Sequence, residues 1–353
     1  MLIVGCDFHS RYQQIAMVDE QTGEYFERRL EHHNGEARAF YARLPAARVG
    51  IEATGYTQWF ERLLQELGHE LWVGDAAAIR ASVVRLQKTD ERDARHLQVL
   101  LSQGRFPRIW LPTLAERDLR QLLVHRVRLV QWRTRLQNQL HALAMGQGLC
   151  RKKKLWAQSG RRELEALPLD PWARRRRSEL LELLDGLNPK IEELNLAVEQ
   201  QAREHPRALR LMTHPGVGAL TALAFALSLG PASRFARGKQ VASYVGLNPR
   251  EHSSGDRRRT GAISKQGSSL LRWLLVEAGQ VAARYDPALG RVYQRVKFRR
   301  GSQIAKVAVA RKLAVRLYWM LRRQITYREL LGAQVPVPGS SGSAVMSDNT
   351  SGR

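Results

Sequence analysis

Four carboxylates stand where they could act together. Asp7 follows the apolar run "LIVGC", Glu52 follows "VGI", and Asp90 and Asp93 stand three residues apart in "KTDERDARHL". A carboxylate at the end of a buried strand is expensive unless something cationic compensates it. On a helix, the Asp90 and Asp93 spacing projects both side chains from one face. Oxygen donors of this kind suit Mg2+, which also bridges substrate phosphates. Two such ions about 4 Å apart stabilise attacking and leaving oxygens together. A plainer reading treats Asp90 and Asp93 as a surface salt-bridge patch with Arg92 and Arg95. His9 lies near Asp7, but a lone histidine after a strand is ordinarily solvated, and it stays outside the candidate set.

A second stretch with chemical potential is "EHSSGDRRRTG", residues 251–261, where Ser253 and Ser254 precede Gly255 and then Arg257, Arg258 and Arg259. Three readings compete: a solvated turn, for which Ser, Gly and Asp are suited, a phosphate-binding turn, or a nucleophile. The segment carries no G-x-S-x-G elbow, and no histidine and acid partners follow in order, so esterase chemistry is poorly supported. A serine that attacks a phosphodiester must lose its proton, while the non-bridging oxygens are neutralised and the departing 3′ oxygen is stabilised. Arg257, Arg258, Arg259 and Lys265 offer positive charge for that purpose.

The whole chain is built for a polyanion. Its 353 residues carry 57 Lys and Arg against 33 Asp and Glu, a formal net charge of +24. Nucleic acid is the partner this excess implies. A membrane is excluded as partner because no long uncharged apolar run and no basic amphipathic anchor is found. Basic blocks at Arg151, Lys152, Lys153 and Lys154 and at Arg174, Arg175, Arg176 and Arg177 sit beside Trp156 and Trp172. Such runs are often solvated faces, yet mixed basic and aromatic side chains also suit a nucleic-acid backbone with exposed bases. Cys6 and Cys150 lack any paired spacing, so neither disulfides nor a zinc site is indicated. The opening "MLIVGCDFHS" lacks secretory features, and a reduced, cytoplasmic protein is expected.

These residues need elements to hold them. Up to about residue 105 strand and helix signals alternate: "LIVGCDF", "YQQIAMVD", "RVGIEATG" and "HELWVGD" read as strands and "YTQWFERLLQELG" as a helix. An antiparallel opening followed by strand, helix and strand indicates an α/β sheet. Beyond Pro112 the periodicity is helical, beginning at a capping box of Thr113 and Glu116. Leu180, Leu184, Leu187, Ile191, Leu194 and Val198 step like a coiled-coil seam. They serve either a dimer or packing within the chain, and Gly186 and Pro189 leave room for a kink. In "THPGVGALTALAFALSLG", Pro215, Gly216 and Gly218 make a turn that either offers backbone N–H groups to phosphate or joins packed helices. Gly267, then Ser268 or Ser269 as cap, opens a helix with a core stripe at Leu270, Leu271, Leu274 and Leu275. Arg272, Arg299, Arg300, Lys306, Arg311 and Lys312 are phosphate-contact candidates.

"GCDFHS", "GIEATG" and "KTDERDA", in this order, resemble the DEDD motifs of the insertion sequence one-ten transposase family, whose members are also described as bridge-RNA-guided recombinases. The resemblance continues through "HPGVGALTALAFALSLG" and "SYVGLNPREHSSGDRRRTGAISKQGSSLLRWLLVEA" and covers about residues 1–330. It implies an α/β ribonuclease H-like, RuvC-like domain over 1–110, a long-helix, coiled-coil and basic segment over 111–204, and a mainly α transposase domain over 205–330. Residues 331–353, rich in Gly and Ser, read as a disordered tail. The resemblance also implies that Asp7, Glu52, Asp90 and Asp93 hold Mg2+, with two ions expected. The catalytic serine falls on Ser254, with Ser253 as the alternative. A phosphoserine intermediate, an active site composed from both domains, and a homo-oligomer, dimer or tetramer, follow from it. So do donor and target DNA and an element-encoded guide RNA as partners, in a bacterial cytoplasm at the nucleoid. A RuvC-like metal-dependent nuclease or junction resolvase without a serine intermediate is the alternative enzyme. A non-catalytic nucleic-acid scaffold is the alternative from another class.

Overall fold

A computed structural model describes residues 1–55, 57–83, 89–150, 154–251 and 260–332. The chain divides into two compact units, Met1–Leu111 and Pro112–Arg353.

The first unit is a five-stranded sheet with helices on both faces. β1 (Leu2–Phe8), β2 (Tyr12–Asp19) and β3 (Tyr25–Glu31) are followed by α1 (Glu36–Tyr41), β4 (Ala47–Glu52), α2 (Gln58–Glu66), β5 (Glu70–Gly74), α3 (Ala76–Ala81) and α4 (Asp90–Ser102). The strand order is β3-β2-β1-β4-β5. The first three strands pair antiparallel, and β1, β4 and β5 pair parallel. Alternation sorts β1 between two cores. Val4, Cys6 and Phe8 join Ile15, Tyr41, Ile51, Phe60 and Leu64 on one face. Ile3 points the other way, to Ile79, Leu97, Leu100, Leu101 and Phe106. Both faces are therefore sealed by apolar side chains, and the strands from "LIVGCDF" to "HELWVGD" form where their patterning indicates.

The second unit is helical apart from one small hairpin. Its elements are α5 (Leu114–Gly146), α6 (Gln158–Glu165), α7 (Pro171–Glu204), α8 (Pro206–Met212), α9 (Ala219–Leu229), α10 (Gly238–Tyr244), β6 (Pro249–Glu251), β7 (Thr260–Ile263), α11 (Ser269–Tyr285), α12 (Pro287–Arg300), α13 (Ser302–Arg323) and α14 (Tyr327–Gly332). The capping box at Thr113 and Glu116 starts α5, and Ser268 caps α11 by accepting from the Leu271 N–H at 3.2 Å. α9, whose residues from Thr221 to Leu227 are all buried, is the centre around which the unit packs. Val198 and Ala202 of α7 and Leu123 of α5 belong to the same apolar cluster as Leu211 and Leu223, so packing runs continuously across residues 204 and 205.

Two features for which the sequence left alternatives pack within this chain. Of the seam, Leu180, Leu184, Ile191 and Val198 are buried, and α7 packs along α5 within this chain. α7 runs from Pro171 to Glu204 through Gly186 and Pro189 as one helix. In the "HPGVG" turn, Gly216 has φ +84°, and an added Cβ would come within 2.6 Å of the Ala282 nitrogen and 2.7 Å of the Ala278 carbonyl oxygen. The turn thus seats α9 against α11, as the packing reading requires. Among the described residues no helix is long and apolar enough to cross a membrane.

Candidate active site

The acidic site is built by strand register and a glycine notch. β1 and β4 run parallel with Cys6 opposite Ile51, so Asp7 and Glu52 are the next neighbours at the carboxyl ends of adjacent strands. Side chains alternate, which puts Gly5 and Asp7 on one face and Cys6, buried beside Gln13, on the other. α4 lies directly on the Gly5 face. A Cβ at Gly5 would fall 2.2 Å from the Ala94 carbonyl oxygen and 2.3 Å from the Gln98 nitrogen, and one at Gly50 would fall 2.6 Å from a Leu101 methyl. With the middle of α4 held over Gly5, its first turn lies toward Asp7. Thr89 caps that turn through the Arg92 N–H, and Asp90, Glu91 and Asp93 place negative charge at the positive end of the helix.

Asp7, Asp90 and His9 come together. The His9 Nε2 lies 3.0 Å from the Asp7 Oδ2 and 3.6 Å from the Asp90 Oδ2. One ligand atom from each of the three residues falls within 4.8 Å of the others. The Tyr12 hydroxyl donates to the Asp90 Oδ2 at 2.8 Å. The Tyr12 ring in turn stacks on His9 and lies under the Arg29 guanidinium, 3.6 Å from its centroid. Burial pushes the Asp7 carboxyl above its ordinary value. His9 pulls against that, and the charges of Asp93 and Asp90 add to it. Asp93 therefore belongs to the same electrostatic group as Asp7. Glu52 stands at the neighbouring strand end, 43% exposed, with its Oε1 4.0 Å from the Arg80 Nη2.

The salt-bridge reading of Asp90 and Asp93 loses one of its arginines. Arg95 is drawn instead to Glu27 at 2.7 Å and lies against the Tyr25 ring. What remains is a half-buried carboxylate crowded by two more, an arrangement that a divalent cation relieves. Carboxylate oxygens with one imidazole suit such an ion as donors. The sequence reading missed His9 and Tyr12. The i, i+2 spacing of Asp7 and His9 at a strand end was the available signal for the first, whereas Tyr12 meets Asp90 only through tertiary packing.

Ser253, Ser254, Arg257, Arg258 and Arg259 lie outside the described residues, as do Arg151, Lys152 and Lys153. The elements flanking the serine segment are described. β6 and β7 pair antiparallel, Pro249 with Ile263 and Glu251 with Thr260, and residues 252–259 join them. The hairpin is fixed at its base. The Ser264 N–H donates to the Asn248 carbonyl at 2.8 Å and the Lys265 N–H to the Gly246 carbonyl at 3.2 Å. Gly246 and Gly267, at φ +70° and +66°, each leave room for a backbone carbonyl that a Cβ would meet at 2.3 Å. Lys265 itself is left-handed at φ 57° and exposed.

Two of the basic candidates do other work. Arg177 is buried, and its guanidinium donates to the carbonyls of Leu164 at 3.1 Å, Glu165 at 2.6 Å and Leu167 at 3.4 Å. It closes the C-terminal end of α6 and is withdrawn from the phosphate-contact set. Arg272 likewise points back, donating to the carbonyls of Gln266 and Gly267, so it clamps the loop before α11. Arg174 donates to the Leu169 carbonyl, Arg175 pairs with Glu179 at 2.8 Å and lies over Trp172, and Arg176 reaches Gln139. All three remain exposed, as do Lys154, Arg299 and Arg300.

Residues 4–146 match a family model described as Transposase, of the DEDD IS110 type. Residues 208–294 match a second, described as Transposase IS116/IS110/IS902 family. The chain is 30% identical over 342 residues to the probable family 20 transposase of Pseudomonas aeruginosa, across 92% of this chain and 98% of that one. It is 28% identical over 339 residues to the transposase for insertion sequence element IS1111A of Coxiella burnetii, across 92% and 91% of the two chains. A shorter match, 34% over 122 residues, joins 33% of this chain to 37% of the pilin gene-inverting protein of Moraxella bovis.

Proposed function

The chain belongs to the IS116/IS110/IS902 family of transposases, and from that premise we propose that it cuts and exchanges DNA strands of a mobile element by serine attack on a phosphodiester. In this reading the hydroxyl of Ser254, with Ser253 as the alternative, gives up its proton and attacks phosphorus. The bond to the 3′ oxygen breaks, and that oxygen leaves with a proton. The product is a phosphoserine ester that a second strand's 3′ hydroxyl resolves by the reverse displacement. Arg257, Arg258, Arg259 and Lys265 neutralise the phosphate oxygens.

Asp7, Glu52, Asp90 and Asp93 would hold Mg2+, with two ions the expected number and His9 beside them. The bound ions supply charge neutralisation and stabilisation of the attacking and departing oxygens. Asp7 carries this half: a carboxyl whose affinity for protons is raised first by burial and then by the charges of Asp93 and Asp90 is a group that a cation would stabilise. The order β3-β2-β1-β4-β5, with acidic residues at the ends of β1 and β4, supports reading the first unit as ribonuclease H-like and RuvC-like.

Donor and target DNA are the substrates, an element-encoded guide RNA chooses between sites, and the working unit is a homo-oligomer, dimer or tetramer. An excess of 57 basic over 33 acidic residues supports polyanion contact, and delegation of sequence choice to RNA asks mainly backbone contacts of the protein. Exposed Lys154, Arg174, Arg175, Arg176, Lys265, Arg299 and Arg300 are among the described residues assigned to such contacts.

Trapping tests the chemistry. Serine attack leaves a denaturation-resistant protein–DNA adduct that is lost in Ser254→Ala and restored by the parent sequence. Free 5′-phosphate products without any adduct would instead establish hydrolysis by a metal-dependent nuclease, the reading favoured by the acidic cluster alone. Sequencing RNA that co-purifies from a ribonuclease-free preparation tests the guide, and absence of a discrete RNA removes it.

A further inference from the structure

The second unit holds a groove for which the strand-transfer chemistry gives no role. One wall is the hairpin, through Pro249 of β6 and Ile263 of β7. The other is the last turn of α12 and the first half of α13, through Val296, Ile304 and Val307. The cavity measures about 710 Å³, inside the range of roughly 300–1,000 Å³ common for small-ligand sites. Its floor is aliphatic and its rim carries Arg299, Arg300 and Arg311. None of these three arginines forms an ion pair with a described residue, whereas Arg203 on α7 is neutralised by Glu199. Ile304 is 49% exposed.

An aliphatic floor beneath guanidinium groups that pair with no described acid matches only part of a paired duplex. A duplex presents phosphates to such a surface and keeps its base faces stacked inside, so it would engage the rim and leave the floor wet. An unpaired nucleotide offers both halves: a phosphate for the arginines and a flat base face for the aliphatic side chains. Strand exchange generates such nucleotides of necessity, because a strand that leaves one duplex for another is unpaired at the crossover. The hairpin that forms the groove wall is also the one whose ends are joined by residues 252–259.

We propose that this groove takes an unpaired nucleotide of the exchanging DNA strand, its phosphate on Arg299, Arg300 and Arg311 and its base against Ile304 and Val307. The purpose assigned to the groove rests on the proposed reaction. Binding there does not use the nucleophile and can be measured without it.

The test compares two DNAs of one sequence, one fully paired and one carrying a short unpaired bulge, bound by the full chain with its co-purifying RNA retained. The parent protein is expected to bind the bulged DNA about ten-fold more tightly. Ile304→Gln abolishes that ratio and leaves the affinity for paired DNA within about two-fold, because it removes apolar surface and adds no charge beside the arginines that a duplex engages. Ile304→Leu keeps the ratio, which separates loss of the apolar floor from loss of folding. Ser254→Ala keeps it too, so failure of the serine assignment and failure of the groove are told apart. A parent ratio near one, a ratio unmoved by Ile304→Gln, or an RNA bulge that binds as well as DNA and is equally sensitive to Ile304→Gln would each overturn the proposal.

Discussion

Replacing Gly5 by alanine should cripple the acidic site without touching a carboxylate. The new Cβ would sit 2.2 Å from the Ala94 carbonyl oxygen and 2.3 Å from the Gln98 nitrogen, where ordinary contact begins at 3.4 Å. Both obstructing atoms are backbone, so no rotamer change relieves them, and α4 must retreat from β1 by about 1 Å. Overpacking of this kind costs about 1–3 kcal/mol. The same retreat displaces Asp90 and Asp93 from Asp7 by a distance several times the tolerance of roughly 0.2 Å on metal–ligand distances. Misplacement by about 1 Å costs on the order of 100-fold in rate. Hydrogen exchange of the α4 amides should report the lost stability, and cleavage of a donor plasmid the lost rate. Gly186→Ala is the matched control: an exposed mid-helix glycine with nothing within 4 Å of the added methyl, expected to stabilise α7 by ~0.5–1 kcal/mol and leave cleavage unchanged. Parent-like exchange and cleavage in Gly5→Ala would refute the claim that α4 is seated through this notch.

Arg177→Met should lower stability by about 1–3 kcal/mol by stranding the three carbonyls at the end of α6, with DNA affinity unchanged. Arg299→Gln with Arg300→Gln should do the reverse, weakening DNA binding and flattening its dependence on salt by about one unit per lost phosphate contact. His214 is buried, and burial first, then the Arg316 charge, holds its imidazole down at about 4, against the pull of the Pro215 carbonyl and Asp286. Since the unfolded chain takes up a proton near 6.5 and the fold does not, stability should be level above that value. It should then fall by roughly 3 kcal/mol as pH drops from about 6.5 to about 4, a slope that His214→Gln removes. Asp286 is buried and bonded to the Leu289 N–H, the Tyr327 hydroxyl and Arg316, and these contacts overcome burial to keep its carboxyl below 3.8. Its contribution is present above that value and lost as pH falls further. Asp286→Ala should cost about 3–5 kcal/mol at neutral pH, because it leaves Arg316 without its partner, as thermal unfolding will show.

The parts of the fold that were legible in the sequence are those set by local pattern. The short apolar runs in "LIVGCDF" and "YQQIAMVD", and the Thr113 and Glu116 box, depend on residues within a few positions of each other. The residue types of the acidic site were legible for the same reason, since a carboxylate that ends a buried strand is conspicuous by its cost. What stayed hidden depends on neighbours distant along the chain. Tyr12 meets Asp90 across 78 positions. Arg177 looks like one charge of a solvated run until α6 folds back over it and supplies three carbonyls. In a run of four arginines, composition cannot say which one faces inward. Helical geometry can say that one of them must come round to the buried side.

The same distinction explains why glycine, not aspartate, is the residue on which the acidic site turns. A carboxylate fixes chemistry only after its neighbours are within a few ångströms. Gly5 lies two residues before Asp7 and Gly50 two before Glu52, so each glycine shares a sheet face with the acid that follows it. Removing the Cβ at these two positions lowers α4 onto the strand backbones, with Leu101 and Phe106 over Gly50 and the Ala94 carbonyl over Gly5. Strand pairing sets Asp7 beside Glu52, and α4 sets Asp90 beside Asp7. The second of these does not survive if the helix stands off by the width of a methyl group. The motif "GCD" at the first strand and "GIE" at the fourth therefore encode a depth of packing together with a charge, and substitutions at Gly50 should resemble those at Gly5. The Gly50 effect should be smaller, because a Cβ there meets the ends of the Leu101 and Phe106 side chains, which can yield, where the one at Gly5 meets backbone. Gly50→Ala losing more cleavage activity than Gly5→Ala would show that the notch is not what holds the acids together.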